Sequence, residues 1–277
     1  MEISFSQKLF FLGVKYLSWV LPSFWAKRAE DLFLTPSRVP RPPSEKAWFE
    51  SSRKKTLSGG IASFEWGLES GPIVALVHGW SGRGTQLAAF AAPLVERGYR
   101  VIAFDGPAHG DSAGEQTNVG DYANFLIRMQ QELGEFKAVI AHSFGAGCSV
   151  FAAARGLKVE KLVLVAGPSR YEVVVGNYLR FIGLGSKAKE YFLASLAKKV
   201  GMTAKDLNVG VIGESLRLPA MVIHDREDKE VPYVSAEEIK NAWPHVVLVD
   251  TKGLGHRRIL KDPVVIQKAA EFIDFKS

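Results

Sequence analysis

An apolar run, Ala138-Val139-Ile140, leads straight into Ala141-His142-Ser143-Phe144-Gly145, and this stretch limits the fold more than any other in the chain. The run has the composition of a buried strand, and Ala146-Gly147-Cys148-Ser149-Val150-Phe151 after it reads as the start of a helix. A strand that becomes a helix within one residue needs a very sharp turn, which strains the apical residue and leaves its hydroxyl above the sheet. The same turn aims the next amide, that of Phe144, at an oxygen reacting there. Helix and strand backbones nearly touch at such a turn, so small residues must flank the serine. Gly145 meets that demand, and Ala141 stands where glycine is usual.

The fold known to carry a serine on such a turn places an acid and then a histidine further along the chain. Ala220-Met221-Val222-Ile223-His224 has strand character and ends in Asp225-Arg226-Glu227-Asp228. Val246-Val247-Leu248-Val249 forms another strand, followed by the glycine-rich Gly253-Leu254-Gly255-His256. Serine, acid and histidine thus fall in the required order, the last two each just after a strand.

At these residues the chain resembles the α/β-hydrolase superfamily, over roughly residues 60 to 277, and within it the small bacterial serine hydrolases. Three further segments carry the likeness. Ile73 to Trp80 is similar to the family's third strand running into its oxyanion loop, and Val101 to Ser112 to the next strand with its Gly-rich turn. In Asp228-Lys229-Glu230-Val231-Pro232 the acid stands three residues before a Val-Pro pair, the family's spacing, which selects Asp228 over Asp225. The resemblance implies an α/β-hydrolase fold, a mostly parallel central sheet with helices on both faces and a helical cap insertion. It implies Ser143 as nucleophile, His256 as its base, Asp228 as the orienting acid, and an oxyanion hole from the backbone N–H groups of Trp80 and Phe144. The implied substrate is a small, largely apolar carboxylic ester or thioester. Carbon–carbon bond hydrolysis and perhydrolysis use the same triad, whereas epoxide hydrolases and dehalogenases use Asp in place of Ser143. A non-catalytic small-ligand receptor on the same fold is the alternative of another class. Among the remaining histidines, His78 is expected to brace the oxyanion loop and His109 to occupy a structural turn. His142 is expected to point to the other side of the sheet, and Asp225 to organise its loop.

Composition narrows the rest. Hydrophobic residues make up 47% and charged residues 23% of 277, an ordinary globular balance. The single cysteine, Cys148, excludes an internal disulfide and fits a reducing, cytoplasmic setting, where it serves as small buried filler. Thirty-five basic against 29 acidic residues leave +6, with no run long enough for a nucleic-acid arm, so no nucleic-acid partner is expected. Arg257-Arg258 after His256 either favours an anionic substrate or forms local salt bridges. The six histidines are dispersed and the cysteine has no partners, so neither metal nor cofactor is expected.

The chain reads as residues 1–55, a helical extension with a Pro-rich linker; 56–168 and 216–277, the two parts of the hydrolase core; and 169–215, the cap. Phe5, Leu9, Leu12, Tyr16 and Trp19 have helical spacing, but Lys8 and Lys15 interrupt the apolar run and Pro22 ends it, short of a membrane span. Packing on the core is favoured for this segment, over membrane-surface contact through residues 1–25 or a dimer contact. Thr85 is expected to cap a helix that Pro93 disturbs in its final turn, and Asp262-Pro263 to open the last helix. Ser186 is expected to cap a cap-domain helix ended by Gly201. The sequence assigns no oligomeric state.

Overall fold

The computed structural model describes residues 12–14 and 16–275; Phe5, Lys8, Leu9 and Lys15 of the sequence argument lie outside the described residues. Eight strands form one sheet: β1 (Arg53–Leu57), β2 (Ile61–Trp66), β3 (Ile73–Val77), β4 (Arg100–Phe104), β5 (Phe136–His142), β6 (Val159–Val165), β7 (Ala220–Asp225) and β8 (Val247–Thr251). Their order is β1-β2-β4-β3-β5-β6-β7-β8. β3 to β8 run parallel, and β1 and β2 join antiparallel at one edge. Strands covered on both faces read as continuous apolar runs, and every residue of β3 and β7 is buried. At the edge, β1 is Arg-Lys-Lys-Thr-Leu with only Leu57 buried, and this charge discourages pairing with another chain.

Side chains alternate across the sheet. On one face Val74, Leu76, Ala103, Ile140, Val163 and Ile223 join a core with Val265, Ala269 and Ile273 of the helix Pro263–Asp274. On the other, Phe104 meets Phe125 of the helix Val119–Leu133 edge-on at 5.6 Å. Asp262 caps Pro263–Asp274 through the amide of Val265, as expected from the sequence.

The chain divides into two compact units, Pro36–Ser169 with Val209–Ser277, and Met1–Thr35 with Arg170–Asn208. The first contains the whole sheet. Its boundary falls at Pro36, not after residue 55, because residues 36–45 are no free linker. Arg38 donates to the carbonyls of Gly110, Ser112 and Gly114, and Arg41 to Thr85 and Asp111. Glu45 accepts from Arg83 twice at 2.8 Å and from the Thr85 hydroxyl at 2.6 Å. With Thr85 so engaged, Arg83 precedes the following helix: its amide donates to Gln86 Oε1 and its carbonyl accepts from the Gln86 amide. That segment starts as a 3-10 helix, Gly84–Phe90, and becomes α-helical over Ala91–Glu96. The irregularity therefore precedes Pro93, which sits in the first α-turn, where proline's missing N–H costs nothing. The helix Val209–Leu216 also belongs to this unit: a Cβ on Gly213 would fall 2.1 Å from the Trp243 ring, and one on Gly210 3.1 Å from Ile239 Cα.

In the second unit the helix Pro22–Leu34 packs against Ser186–Val200. Phe33 contacts Tyr178 and Phe192, the Tyr178 hydroxyl donates to the Ala29 carbonyl, and buried Glu30 accepts from Lys199 at 2.9 Å. Gly201, left-handed at φ 84°, ends Ser186–Val200 as expected. Gly185, not Ser186, takes the N-cap position, because its amide is turned back to the Ser18 hydroxyl.

Candidate active site

Every sequence-predicted site residue follows the C-terminal end of a parallel strand, the edge at which open α/β sheets place their ligands. Ser143 joins β5 to the helix Phe144–Ala154 and holds φ 52°, ψ −120°, a conformation that costs a non-glycine residue about 1–3 kcal/mol. The neighbouring glycine is tightly hemmed in. A Cβ on Gly145 would lie 2.5 Å from the His78 carbonyl oxygen and 2.9 Å from that of Val77, both backbone atoms of the adjoining strand and its loop.

The structure brings Ser143, His256 and Asp228 together. His256 Nε2 lies 3.1 Å from Ser143 Oγ, and His256 Nδ1 lies 2.7 Å from Asp228 Oδ2. The other carboxylate oxygen of Asp228 accepts from the amides of Glu230 at 2.8 Å and Val231 at 2.9 Å. Burial pushes the Asp228 carboxyl up, but the hydrogen bonds from His256 and these amides outweigh it, and the group sits below its ordinary range. An ionised carboxylate only accepts, so Nδ1 of His256 carries the proton and Nε2 presents its lone pair to the serine hydroxyl.

Asp225 takes no part in this row. It accepts from the amides of Glu227 and Leu254 and from the Thr251 hydroxyl, tying the acid loop to the histidine loop. Trp80 and Phe144 flank Ser143, with their rings edge-to-face at 5.1 Å. The Trp80 loop is pressed close, since a Cβ on Gly79 would come 2.9 Å from Ser143 Cβ. His78 braces that loop. Its Nε2 accepts from the Gly106 amide, so Nδ1 carries the proton and donates to the Gly79 carbonyl at 2.7 Å. Burial holds His78 well below the ordinary histidine pKa.

The turn after β4 hangs on Asp105, which accepts from the amides of Gly84 and Asp111; burial raises its carboxyl to about 6. His109 is fully buried in this turn, with Nδ1 2.9 Å from the Pro107 carbonyl and its ring 5.4 Å from Trp80. Burial lowers its pKa to about 4. Cys148 is buried on the helix behind Ser143. Arg257 pairs with Glu230 and Arg258 donates to the Gly253 carbonyl, the local pairing of the two sequence readings.

Two histidines have roles that sequence reasoning missed. His142 does not point away from the site: its Nε2 donates to the His256 carbonyl at 3.0 Å, with ring centroids 4.6 Å apart. It therefore holds the backbone of His256 while Asp228 holds the ring. Burial lowers its pKa to about 3, and a neutral His142 can sit beside His256 without repelling a proton there. His224 donates from Nε2 to the Val231 carbonyl at 2.9 Å and lies 3.6 Å from Asp228. Its spacing of four residues before Asp228 was the available signal; His142 had none, because its partner is 114 residues away. Among the described residues no group of three His, Cys, Asp or Glu could hold a metal ion.

A doubly wound sheet with a serine at the β5 elbow and an acid and a histidine after β7 and β8 defines the α/β-hydrolase class. The chain belongs to the alpha/beta hydrolase family, whose model matches residues 74–269. A 144-residue stretch is 32% identical to the dihydrolipoyllysine-residue acetyltransferase component of the acetoin cleaving system of Pseudomonas putida. That match covers 50% of this chain and 38% of the relative, so well under half the relative's length is involved. The monoacylglycerol lipase of Paleococcus ferrophilus is similar in fold, with TM-score 0.60 at 22% identity over 77% of this chain and 98% of that one. So is the meta-cleavage product hydrolase of Pseudomonas fluorescens IP01, with TM-score 0.59 at 18% identity over 80% of this chain and 98% of that one.

Proposed function

We propose that this protein is a serine hydrolase that cleaves a carboxylic ester or thioester of a small, largely apolar substrate through an acyl-enzyme. The observation that carries the reading is the hydrogen-bonded row Asp228–His256–Ser143, with contacts of 2.7 and 3.1 Å. His256 Nε2 takes the hydroxyl proton as Ser143 Oγ attacks the carbonyl carbon, since a neutral serine is too weak a nucleophile. Asp228 holds the reactive tautomer and stabilises the imidazolium. The backbone N–H groups of Trp80 and Phe144 receive the oxyanion, each such donor being worth about 3 kcal/mol. His256 then returns the proton to the leaving oxygen or sulfur, and a water activated by the same ring releases the acid. The Trp80 and Phe144 rings beside Ser143 support an apolar substrate. The monoacylglycerol lipase among the structural neighbours acts on an ester of that kind.

Labelling with a fluorophosphonate, read by intact-protein mass, tests the reading. Wild type is expected to gain one adduct and Ser143→Ala none. A folded wild type that stays unlabelled would overturn it. Turnover of p-nitrophenyl esters set against acyl-thioesters then ranks the leaving groups.

A further inference from the structure

Five of the eight residues from Leu17 to Phe24 are large apolar side chains exposed by 49% to 73%: Leu17, Trp19, Val20, Leu21 and Phe24. Isolated exposed apolar residues are ordinary, but a contiguous cluster marks a surface that meets something apolar. This cluster stands on a built turn. Leu21 N donates to the Leu17 carbonyl at 3.0 Å and Trp25 N to the Leu21 carbonyl at 3.2 Å. Ser18 is fully buried and accepts from the Gly185 amide at 2.9 Å, which roots the turn on the loop between Tyr171–Ile182 and Ser186–Val200. The turn thus buries the Ser18 hydroxyl and leaves its largest hydrocarbon groups outward beside exposed Ser23. The Trp19 ring lies against Gly185, and Phe181, just before that loop, is 71% exposed.

Charge identifies the occupant. The unit Met1–Thr35 with Arg170–Asn208 holds 11 basic and 6 acidic residues, a net +5, and leaves +1 for the rest of the chain's +6. Two of its cations stand beside the apolar cluster. Arg28 stands over the Phe24 ring at 5.5 Å, and exposed Lys187 follows Gly185 by two residues. Like net charge disfavours a second copy here. Trp and Phe ringed by Arg and Lys suit the boundary between acyl chains and headgroups. No helix among the described residues is long and apolar enough to cross a membrane, so the surface would lie on the bilayer.

We infer that the Leu17–Phe24 turn is a membrane-surface anchor. It inserts Trp19, Val20, Leu21 and Phe24 into the interface of an anionic phospholipid bilayer, with Arg28 and Lys187 at the headgroups. This inference is independent of the reaction proposed at Ser143, and its test reads binding alone.

The full chain is sedimented with extruded vesicles of phosphatidylcholine, with and without phosphatidylglycerol, at low and high salt. Wild type is expected to pellet with the anionic vesicles at low salt, and at least about tenfold less with neutral vesicles or high salt. Val20→Asp/Phe24→Ser and, separately, Arg28→Gln/Lys187→Gln are each expected to lower partitioning about tenfold or more. All four side chains are solvent-facing, so unchanged circular dichroism spectra are expected of both variants. Wild type left in the supernatant with anionic vesicles overturns the inference, as does undiminished partitioning of the charge variant. A dimer in light scattering that Val20→Asp/Phe24→Ser splits, with vesicles ignored, would assign the turn to a second copy and also overturn it.

Discussion

Ser143 carries two demands that conflict. Its φ of 52° suits glycine, whereas the proposed chemistry needs a hydroxyl at that point. Ser143→Ala keeps the strain, so Ser143→Gly is expected to be more stable than Ser143→Ala by about 1 kcal/mol, read as urea unfolding midpoints. Equal midpoints would mean that the elbow is not strained. The two nearby acids divide their work as cleanly. Asp228→Asn would present a donor to His256 and favour the wrong tautomer, with an expected fall in kcat of about three to four orders of magnitude. Asp225→Asn is expected to spare most of kcat and instead lower stability by about 1–3 kcal/mol, because it disturbs three accepted hydrogen bonds. The reverse ranking in a parallel assay of kcat and Tm would transfer the acid's role to Asp225.

At the scale of elements, strands supply position and loops supply the groups of the proposed triad. The segment 36–45 belongs to this machinery, since its Arg38, Arg41 and Glu45 grip the turn after β4 and the start of the helix after β3. Tight contact between the Phe144–Ala154 helix and β3 makes Gly145→Ala an informative change. A methyl group 2.5 Å from the His78 carbonyl must displace backbone, at a cost of roughly 1–3 kcal/mol. We expect a Tm lower by about 3–10 °C and slower fluorophosphonate labelling, because the loop that yields is the one carrying Trp80. An unchanged Tm would show that this loop moves freely.

For the whole molecule, the buried histidines set the response to acid. An unfolded chain protonates each histidine near 6.5, but burial delays His109 to about 4 and His142 to about 3, and lowers His78 and His224 as well. Below pH 6.5 the unfolded state therefore binds more protons than the native state at these sites, and stability falls as pH falls. Each such group contributes on the order of 1 kcal/mol per pH unit within its window. Asp105 works in the opposite sense: its carboxyl, raised from 3.8 to about 6, favours the native state as pH falls below 6. Four histidines outweigh one carboxyl, so the urea midpoint is expected to rise with pH from about 4 to 6.5. A flat or falling midpoint over that range would contradict it. Asp228, held below its ordinary range, adds a further loss only at lower pH, when its carboxylate is protonated.

The sharp turn at Ser143, the order of serine, acid and histidine, and the strands that carry them were legible in the chain, because each rests on a local pattern. Apolar runs mark buried strands, and a small residue beside Ser143 marks the close approach of helix and strand. The partner of His142, the grip of residues 36–45 and the packing of Pro22–Leu34 on Ser186–Val200 were not. Each depends on groups far apart in sequence, such as His142 and His256 or Glu45 and Arg83. A polar residue's local context shows only that it needs a partner. Which partner it finds is decided when the sheet assembles and brings distant loops to one edge.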